Sequence, residues 1–263
     1  MTVEHTRSLS VEGVGPVDVT WTERGEGRTF LLLHGGAGPQ SVTRFADSFA
    51  ARERARVLTP THPGFAGTVR PEALTSVAGL AATYLALLAS QDLTDVTIVG
   101  NSIGGWICAE MGLLASPRIH RIVLVNAVGI EVPDHPMADF FSLTMEQVAE
   151  LSWHESTKFR ALIAAAPTAP PEIMAKNRAA LALYGRAPAM FDATLGPRLG
   201  GITVPTLVIW GESDRIVDPE YGRAYAAAIP GATFQLLRGA GHVPQLETPD
   251  ALIGPIWDFG GTG

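Results

Sequence analysis

The feature that most constrains this sequence is an alternation of short apolar runs with stretches of helical periodicity. The runs are rich in β-branched and aliphatic residues and begin after Thr29; they cover residues 30–33, 57–58, 96–99, 122–125, 207–210 and 234–237. Residues 76–88 and 103–114, which lie between runs, carry apolar side chains at helical spacing. This order predicts a parallel sheet whose strands are joined by crossover helices.

Upstream of the first run, residues 8–12 and 17–23 alternate between apolar and polar side chains. Gly13 and Gly15 stand between them, so the two segments predict an antiparallel hairpin. We expect this hairpin to form the edge of the sheet.

The alternation breaks after Val128 and resumes at Val204, which predicts a core of residues 1–128 and 204–263 with an inserted lid of residues 129–203. Prolines punctuate helical pieces in the insertion. It is also rich in methionine and phenylalanine, namely Met137, Met145, Met174, Met190, Phe140, Phe141, Phe159 and Phe191. An apolar, adaptable inner face is one interpretation, and simple packing of lid helices on the core is the other.

Composition excludes several classes of protein. The 263 residues carry a formal charge of -7, whereas binding of nucleic acid requires clustered Lys and Arg. The polar residues 1–10 do not resemble a signal peptide, and no apolar run is long enough to span a membrane. We therefore expect a cytoplasmic protein. The single cysteine, Cys108, excludes an internal disulfide and predicts a buried core residue.

The strongest chemical motif follows the run 96–99. It reads Gly100-Asn101-Ser102-Ile103-Gly104-Gly105 and leads into a helical pattern, so Gly-x-Ser-x-Gly occurs between strand and helix. A sharp turn there exposes the hydroxyl of Ser102 as a nucleophile, and the N–H of Ile103 becomes a donor to an oxyanion. Without that context, the pentapeptide would predict only a glycine-rich turn.

A second glycine-rich loop, His34-Gly35-Gly36-Ala37-Gly38, follows the run 30–33. Here the sequence resembles the α/β-hydrolase family and its H-G-G loop. The resemblance implies an α/β-hydrolase fold, with a mostly parallel eight-stranded sheet flanked by helices and a helical lid insertion. It also implies that Gly36 N–H is the second oxyanion donor and that His34 is structural. The spacing does not match the motifs of nucleotide-binding loops.

A histidine and a carboxylate lie near strand ends in the C-terminal part. His242 lies in a glycine-flanked loop after the run 234–237, and Asp214 lies in the turn after the run 207–210. An imidazole can take the proton of Ser102 and return it, provided that a buried carboxylate fixes its tautomer. The order Ser102, Asp214, His242 is the order of this fold. The rival carboxylates are Glu212, Asp218, Glu131 and Asp134, of which Asp218 precedes Pro219 and predicts a helix cap.

The other histidines predict solvated or capping side chains; they are His5, His62, His120, His135 and His154. His62 belongs to the segment Thr61-His62-Pro63-Gly64-Phe65, which resembles a turn of the same family.

The resemblance also bears on the reaction. Dehalogenases and epoxide hydrolases of this fold use an aspartate where Ser102 stands, so both activities are disfavoured. The elbow around Ser102 is similar to that of meta-cleavage-product hydrolases, which split carbon–carbon bonds. Those enzymes usually carry a tryptophan after the histidine, where this chain has Val243. The segment Gly241-His242-Val243-Pro244 and its continuation look more like esterases and lactonases.

We therefore expect hydrolysis of a carboxylic ester or lactone through an acyl-enzyme, without a metal or cofactor. Carbon–carbon hydrolysis and a slow-turnover ligand-binding protein remain as alternatives. The expected partner is a small, partly apolar substrate rather than nucleic acid or a membrane, and a homodimer is left open. The residues expected to contact the substrate are Gly35, Val243, Phe140, Phe141 and Trp153. Three lid arginines, Arg160, Arg178 and Arg186, could bind a carboxylate but are individually more typical of solvated helix positions.

Overall fold

The computed structural model describes residues 2–157 and 170–261. Strands occur at all the predicted positions. Their bounds are β1 Thr2–Val11, β2 Gly15–Arg24, β3 Arg28–Leu33, β4 Ala55–Pro60, β5 Val96–Asn101, β6 Ile119–Val125, β7 Thr206–Gly211 and β8 Thr233–Leu237.

Within the described residues the strands form one eight-stranded sheet in the order β1-β2-β4-β3-β5-β6-β7-β8. The hairpin β1–β2 is antiparallel, as predicted, and lies at the edge; β2 also pairs antiparallel with β4. The remaining neighbours are parallel. Parallel neighbours bring the carboxyl ends of β3, β5, β6, β7 and β8 to one edge, where loops of such sheets hold ligands.

The helices of the described residues cover both faces of the sheet. Their bounds are α1 Gln40–Arg52, α2 Val77–Ser90, α3 Ile103–Leu113, α4 Met145–Ser152, α5 Pro171–Tyr184, α6 Leu195–Arg198, α7 Pro219–Ala228, α8 Pro244–Glu247 and α9 Pro249–Phe259, with a 3₁₀ turn at Leu199–Gly201. The predicted α2 and α3 are confirmed, and Ser76 caps α2 by accepting the N–H of Gly79.

Alternate residues of the central strands enter two separate cores. In β3, Leu31 and Leu33 belong to the core that also holds residues of α2, α3 and α7, whereas Phe30 and Leu32 belong to the core that holds residues of α1 and α9. Successive side chains of a strand point to opposite faces, so a strand covered on both sides must be apolar throughout. This explains why the runs in the sequence are continuous rather than alternating.

The segment predicted as a lid contains α4, α5, α6 and the 3₁₀ turn among the residues that the structure describes. Two consecutive prolines begin α5, with Pro170 as its N-cap residue and Pro171 at its first helical position. The division into core and lid remains a prediction, and Phe159 and Arg160 lie outside the described residues. Among the described helices, none is long and apolar enough to span a bilayer.

Candidate active site

The turn between β5 and α3 holds Ser102 in an unusual backbone conformation. Its φ of 56° and ψ of -120° lie outside the helical and extended regions, and a non-glycine residue with positive φ is strained. Its N–H donates to the carbonyl of Val125 on the neighbouring strand, which holds the turn on the sheet. A side chain on Gly100 or Gly104 would collide with backbone atoms. The sharp turn that the motif predicts is therefore present.

His242 and Asp214 form a buried, hydrogen-bonded pair. His242 Nδ1 lies 2.7 Å from Asp214 Oδ2, and only 7% and 2% of the two residues are exposed. Since a carboxylate accepts, Nδ1 carries the hydrogen and Nε2 is left as the acceptor nitrogen. This is the tautomer that a general base for a serine hydroxyl requires.

Three further donors fix the carboxylate of Asp214. Asn126 Nδ2 donates to Oδ2 at 2.6 Å, while the N–H groups of Ile216 and Val217 donate to Oδ1 at 2.9 and 3.1 Å. Together with His242 they orient both oxygens. Sequence reasoning missed Asn126, although it directly follows β6, and its φ of 48° is one that asparagine tolerates better than most residues.

The loop of His242 packs against the turn of Ser102. Asn101 Nδ2 donates to the carbonyl of His242 at 2.9 Å, which joins the residue before the serine to the histidine itself. No hydrogen bond links Ser102 Oγ to the His242 ring within the part of the chain that the structure describes. Such bonds are often long before substrate binds, so their absence does not disqualify His242 as a base for Ser102.

Two backbone N–H groups beside Ser102 are available to bind an oxyanion. Ile103 is the first residue of α3, so its N–H has no acceptor within the helix. Neither this N–H nor that of Gly36 donates to another of the described residues. A Cβ placed on Gly35 would lie 3.2 Å from Ser102 Cβ, so the H-G-G loop lies directly against the serine.

Two buried histidines support the H-G-G loop. His34 and His62 are fully buried, with ring centroids 3.7 Å apart. His62 Nε2 lies 2.9 Å from the carbonyl of His34, and His34 Nε2 accepts the N–H of His62 at 3.1 Å. The structural role expected for His34 agrees with this geometry. The solvated or capping position predicted for His62 is wrong, because this side chain hydrogen-bonds the loop that precedes Gly36.

Burial lowers the pKa of both rings. It brings the pKa of His62 from 6.5 to about 4, and the pKa of His34 lies well below its usual value because of burial and the neighbouring His62. His62 Nε2 and His34 Nδ1 each face a carbonyl oxygen, so each ring is satisfied in its neutral form. The pair is suited to support rather than proton transfer.

The rival carboxylates have other positions. Asp218 accepts the N–H groups of Glu220 and Tyr221 and caps α7, as predicted. Glu212 is exposed and accepts the N–H of Gly239. Glu131 and Asp134 are exposed. None of the four contacts the His242 ring among the described residues.

The residues predicted to contact substrate lie at different depths. Gly35 lies against Ser102, and the half-buried Val243 follows His242. Trp153 is 5% exposed, and its backbone lies beside Gly241. Phe140 and Phe141 are half-buried and pack edge to face, with centroids 5.5 Å apart. Their contacts with a substrate remain predictions.

Two of the three lid arginines have partners. Arg178 donates to the carbonyl of Phe141 at 2.7 Å and lies over the rings of Phe140 and Phe141. Arg186 pairs with Asp192 at 3.2 Å. Arg160 lies outside the described residues.

Leu181 of α5, which sequence reasoning did not single out, covers the H-G-G loop. It is 3% exposed, and its Cδ2 would lie 2.6 Å from a Cβ placed on Gly36. On the same helix Asn177 accepts the N–H of Ala66 at 2.7 Å. The helical spacing of Asn177 and Leu181 was a signal for a buried face, but its target could not be read from the sequence.

The end of α4 is hydrogen-bonded to the loops that carry His242 and Asp214. The carbonyl of Ser152 accepts the N–H of His242 at 2.6 Å, and that of Leu151 accepts the N–H of Arg215, the residue after Asp214. A segment predicted to belong to the lid thus helps to hold His242 in place.

Cys108 lies in α3, where it is fully buried, and burial raises the pKa of its thiol far above the usual value. It is a core residue, as predicted, rather than a nucleophile.

Comparison with known proteins shows the family of this chain. The model of a family described as the alpha/beta hydrolase family matches residues 30–254. The 2-hydroxy-6-oxo-2,4-heptadienoate hydrolase of Pseudomonas putida is 27% identical, over 93% of this chain and 93% of its own. The pimeloyl-(acyl-carrier protein) methyl ester esterase of Photobacterium profundum is 26% identical, over 91% of this chain and 97% of its own. A solved serine hydrolase involved in carbazole degradation, the CarC enzyme, superposes with a TM-score of 0.74 at 22% identity, covering 98% of both chains. The chain belongs to the alpha/beta hydrolase family.

Proposed function

We propose that this protein is a serine hydrolase that cleaves a carboxylic ester or lactone through an acyl-enzyme. Ser102 is the nucleophile, His242 the general base and acid, and Asp214 the group that orients the histidine. The N–H groups of Gly36 and Ile103 bind the oxyanion. The observation that carries the proposal is the buried Asp214–His242 hydrogen bond of 2.7 Å, in a loop bonded to the turn of the serine.

The reaction follows from these positions. His242 Nε2 removes the proton of Ser102 as Oγ attacks the carbonyl carbon, and the oxyanion accepts the N–H groups of Gly36 and Ile103. The imidazolium then gives its proton to the leaving alcohol, whose C–O bond breaks. Water, deprotonated by the same ring, hydrolyses the acyl-enzyme and restores Ser102.

An ester or lactone is favoured over a substrate with a free carboxylate. The two described lid arginines are engaged, Arg178 by Phe141 and Arg186 by Asp192. Val243 follows the histidine, and Leu181 presents an apolar side chain to the oxyanion loop. The surroundings therefore suit a neutral, partly apolar acyl group.

Carbon–carbon hydrolysis of a ring-fission product is the second candidate. It is favoured by the similarity to the 2-hydroxy-6-oxo-2,4-heptadienoate hydrolase of Pseudomonas putida, which covers nearly the whole of both chains. The same Ser102 and His242 would catalyse that reaction. Only the preferred substrate can therefore distinguish ester or lactone hydrolysis from carbon–carbon hydrolysis.

A substrate panel tests the proposal. p-Nitrophenyl esters, lactones and a 2-hydroxy-6-oxo-dienoate are assayed with wild type, Ser102→Ala and His242→Ala. We expect ester or lactone turnover that falls by about 10⁴-fold or more in both variants. Ser10→Ala and His120→Ala, which alter exposed side chains, are the matched controls.

Other results would point elsewhere. Preferential turnover of the dienoate would favour carbon–carbon hydrolysis. Ester hydrolysis unchanged in Ser102→Ala, together with no labelling of intact protein by a fluorophosphonate, would refute the serine mechanism and favour a ligand-binding protein.

A further inference from the structure

The amide of Asn101, the residue before the proposed nucleophile, has an orientation fixed by its surroundings. The residue is 4% exposed, and Nδ2 donates to the carbonyls of Val125 and His242 at 3.2 and 2.9 Å. Carbonyl oxygens only accept, so the NH₂ group must face them. Asn101 Oδ1 is therefore turned to the opposite side.

Gln245 donates a hydrogen bond to Asn101 Oδ1. It lies in α8, three residues after His242, is 4% exposed, and donates from Nε2 to Asn101 Oδ1 at 3.1 Å. The reverse orientation of the Gln245 amide would place two acceptor oxygens face to face. Gln245 Oε1 has no hydrogen-bond partner among the described residues. An unpaired buried acceptor is destabilising. Filling this space would therefore not by itself require the amide group of Gln245.

These contacts hold the backbone of His242 from both sides. Its N–H donates to the carbonyl of Ser152 at 2.6 Å, and its carbonyl accepts from Asn101 at 2.9 Å. The only side chain of the described residues that fixes the Asn101 oxygen is that of Gln245. Gln245 is thus hydrogen-bonded to the amide that joins the serine turn to His242, and it touches neither reacting atom.

We propose that Gln245 is a positioning residue, which sets the His242 ring against Ser102 by orienting the Asn101 amide. The inference rests on the proposed function and adds a residue to it. Misplacement of a catalytic group by about 1 Å can reduce a rate by up to about a hundredfold, so a side chain that only orients another can have a measurable kinetic effect.

The surroundings of Gln245 allow a clean substitution. It borders a cavity of about 10 Å³ whose other lining is largely apolar, including Leu32, Phe45 and Leu252. Methionine has a similar length and no buried acceptor of comparable strength. Gln245→Met removes one unpaired oxygen and leaves another, Asn101 Oδ1, so stability should change little.

The experiment compares Gln245→Met, Asn101→Ala and the double variant with wild type. We expect kcat for the best ester of the panel to fall about tenfold in Gln245→Met, with KM changed less than about twofold and Tm within about 2 °C. The double variant should be no slower than Asn101→Ala alone, within about twofold, because the two residues act in one path. Gln91→Met, at the end of α2, is the matched control.

Two readouts do not depend on the ester assay. The rate of Ser102 labelling by a fluorophosphonate should fall with kcat, and the proton resonance of His242 Nδ1–H should broaden or shift in Gln245→Met. If wild type hydrolyses no substrate of the panel, the proposed function fails while these readouts still test the positioning role.

Several results would overturn the inference. These are an unchanged kcat and labelling rate in Gln245→Met, effects that multiply in the double variant, or a fall in Tm without a kinetic effect. Gln245→Glu, which keeps the shape but replaces the donor by an acceptor, is the second variant. If neither variant folds, Gln245 is a structural residue and the proposal is wrong.

Discussion

Acidification should destabilise this protein through the buried His62, and the size of the effect follows from its pKa. In the unfolded chain the ring has a pKa near 6.5, whereas burial lowers the pKa of His62 in the folded protein to about 4. Between these values the unfolded state binds more protons, so the free energy of unfolding falls as the pH falls from 6.5 toward 4. At pH 5 the loss relative to pH 7.5 is about 2 kcal/mol from His62 alone.

Burial is the main cause of the lowered pKa of His62, and the hydrogen bonds show where an additional proton would have to enter. His62 Nε2–H already donates to the carbonyl of His34, and the hydroxyl of Tyr84 lies at Nδ1, where the additional proton would have to enter. His34 Nε2 faces the N–H of His62, so a proton there would meet another donor. The lowered pKa of His34 adds to the loss in the same direction.

Urea unfolding followed by tryptophan fluorescence at pH 7.5 and pH 5 measures the effect. His62→Gln should be less stable at pH 7.5, because the hydrogen bonds around Tyr84 and His34 are perturbed. Its loss of stability between the two pH values should be smaller than that of wild type by about 2 kcal/mol. The control is His120→Gln, which alters an exposed histidine. Equal losses in wild type and His62→Gln would refute the reasoning.

Three further predictions concern single side chains. Asp214→Asn should place an NH₂ group against Asn126 Nδ2 or His242 Nδ1–H. We therefore expect kcat to fall by about 10³–10⁴-fold while the circular dichroism spectrum stays native. A loss below about tenfold would contradict the proposed role of the carboxylate. Leu181→Ala should lower the free energy of unfolding by about 2–5 kcal/mol. It should also raise kcat/KM for butyrate relative to acetate esters, because space opens over the H-G-G loop. An unchanged ester preference would show that Leu181 does not border the acyl group. Cys108 should stay unreactive toward a thiol reagent until the protein unfolds, because burial raises the pKa of its thiol, and rapid labelling of the native protein would contradict its buried position.

Local patterns were sufficient to predict the sheet, the hairpin, α2, α3 and the turn of Ser102. These features depend on neighbours in sequence: continuous apolar runs for strands covered on both faces, and glycines where the backbone crosses itself. The position of His242 after β8 and of Asp214 after β7 also followed, because carboxyl ends of parallel strands meet at one edge. The catalytic roles and the boundary of the lid remain predictions.

Tertiary structure alone decided which side chains support this site. Asn126 reaches Asp214 across 88 residues of sequence, and Asn101 reaches His242 across 141. His62 is a buried partner of the H-G-G loop, and the end of α4 is hydrogen-bonded to His242. The chain by itself determines strands, helices and turns because those depend on local spacing; it does not reveal these contacts, because a buried polar group takes its partner from whichever distant segment packs against it.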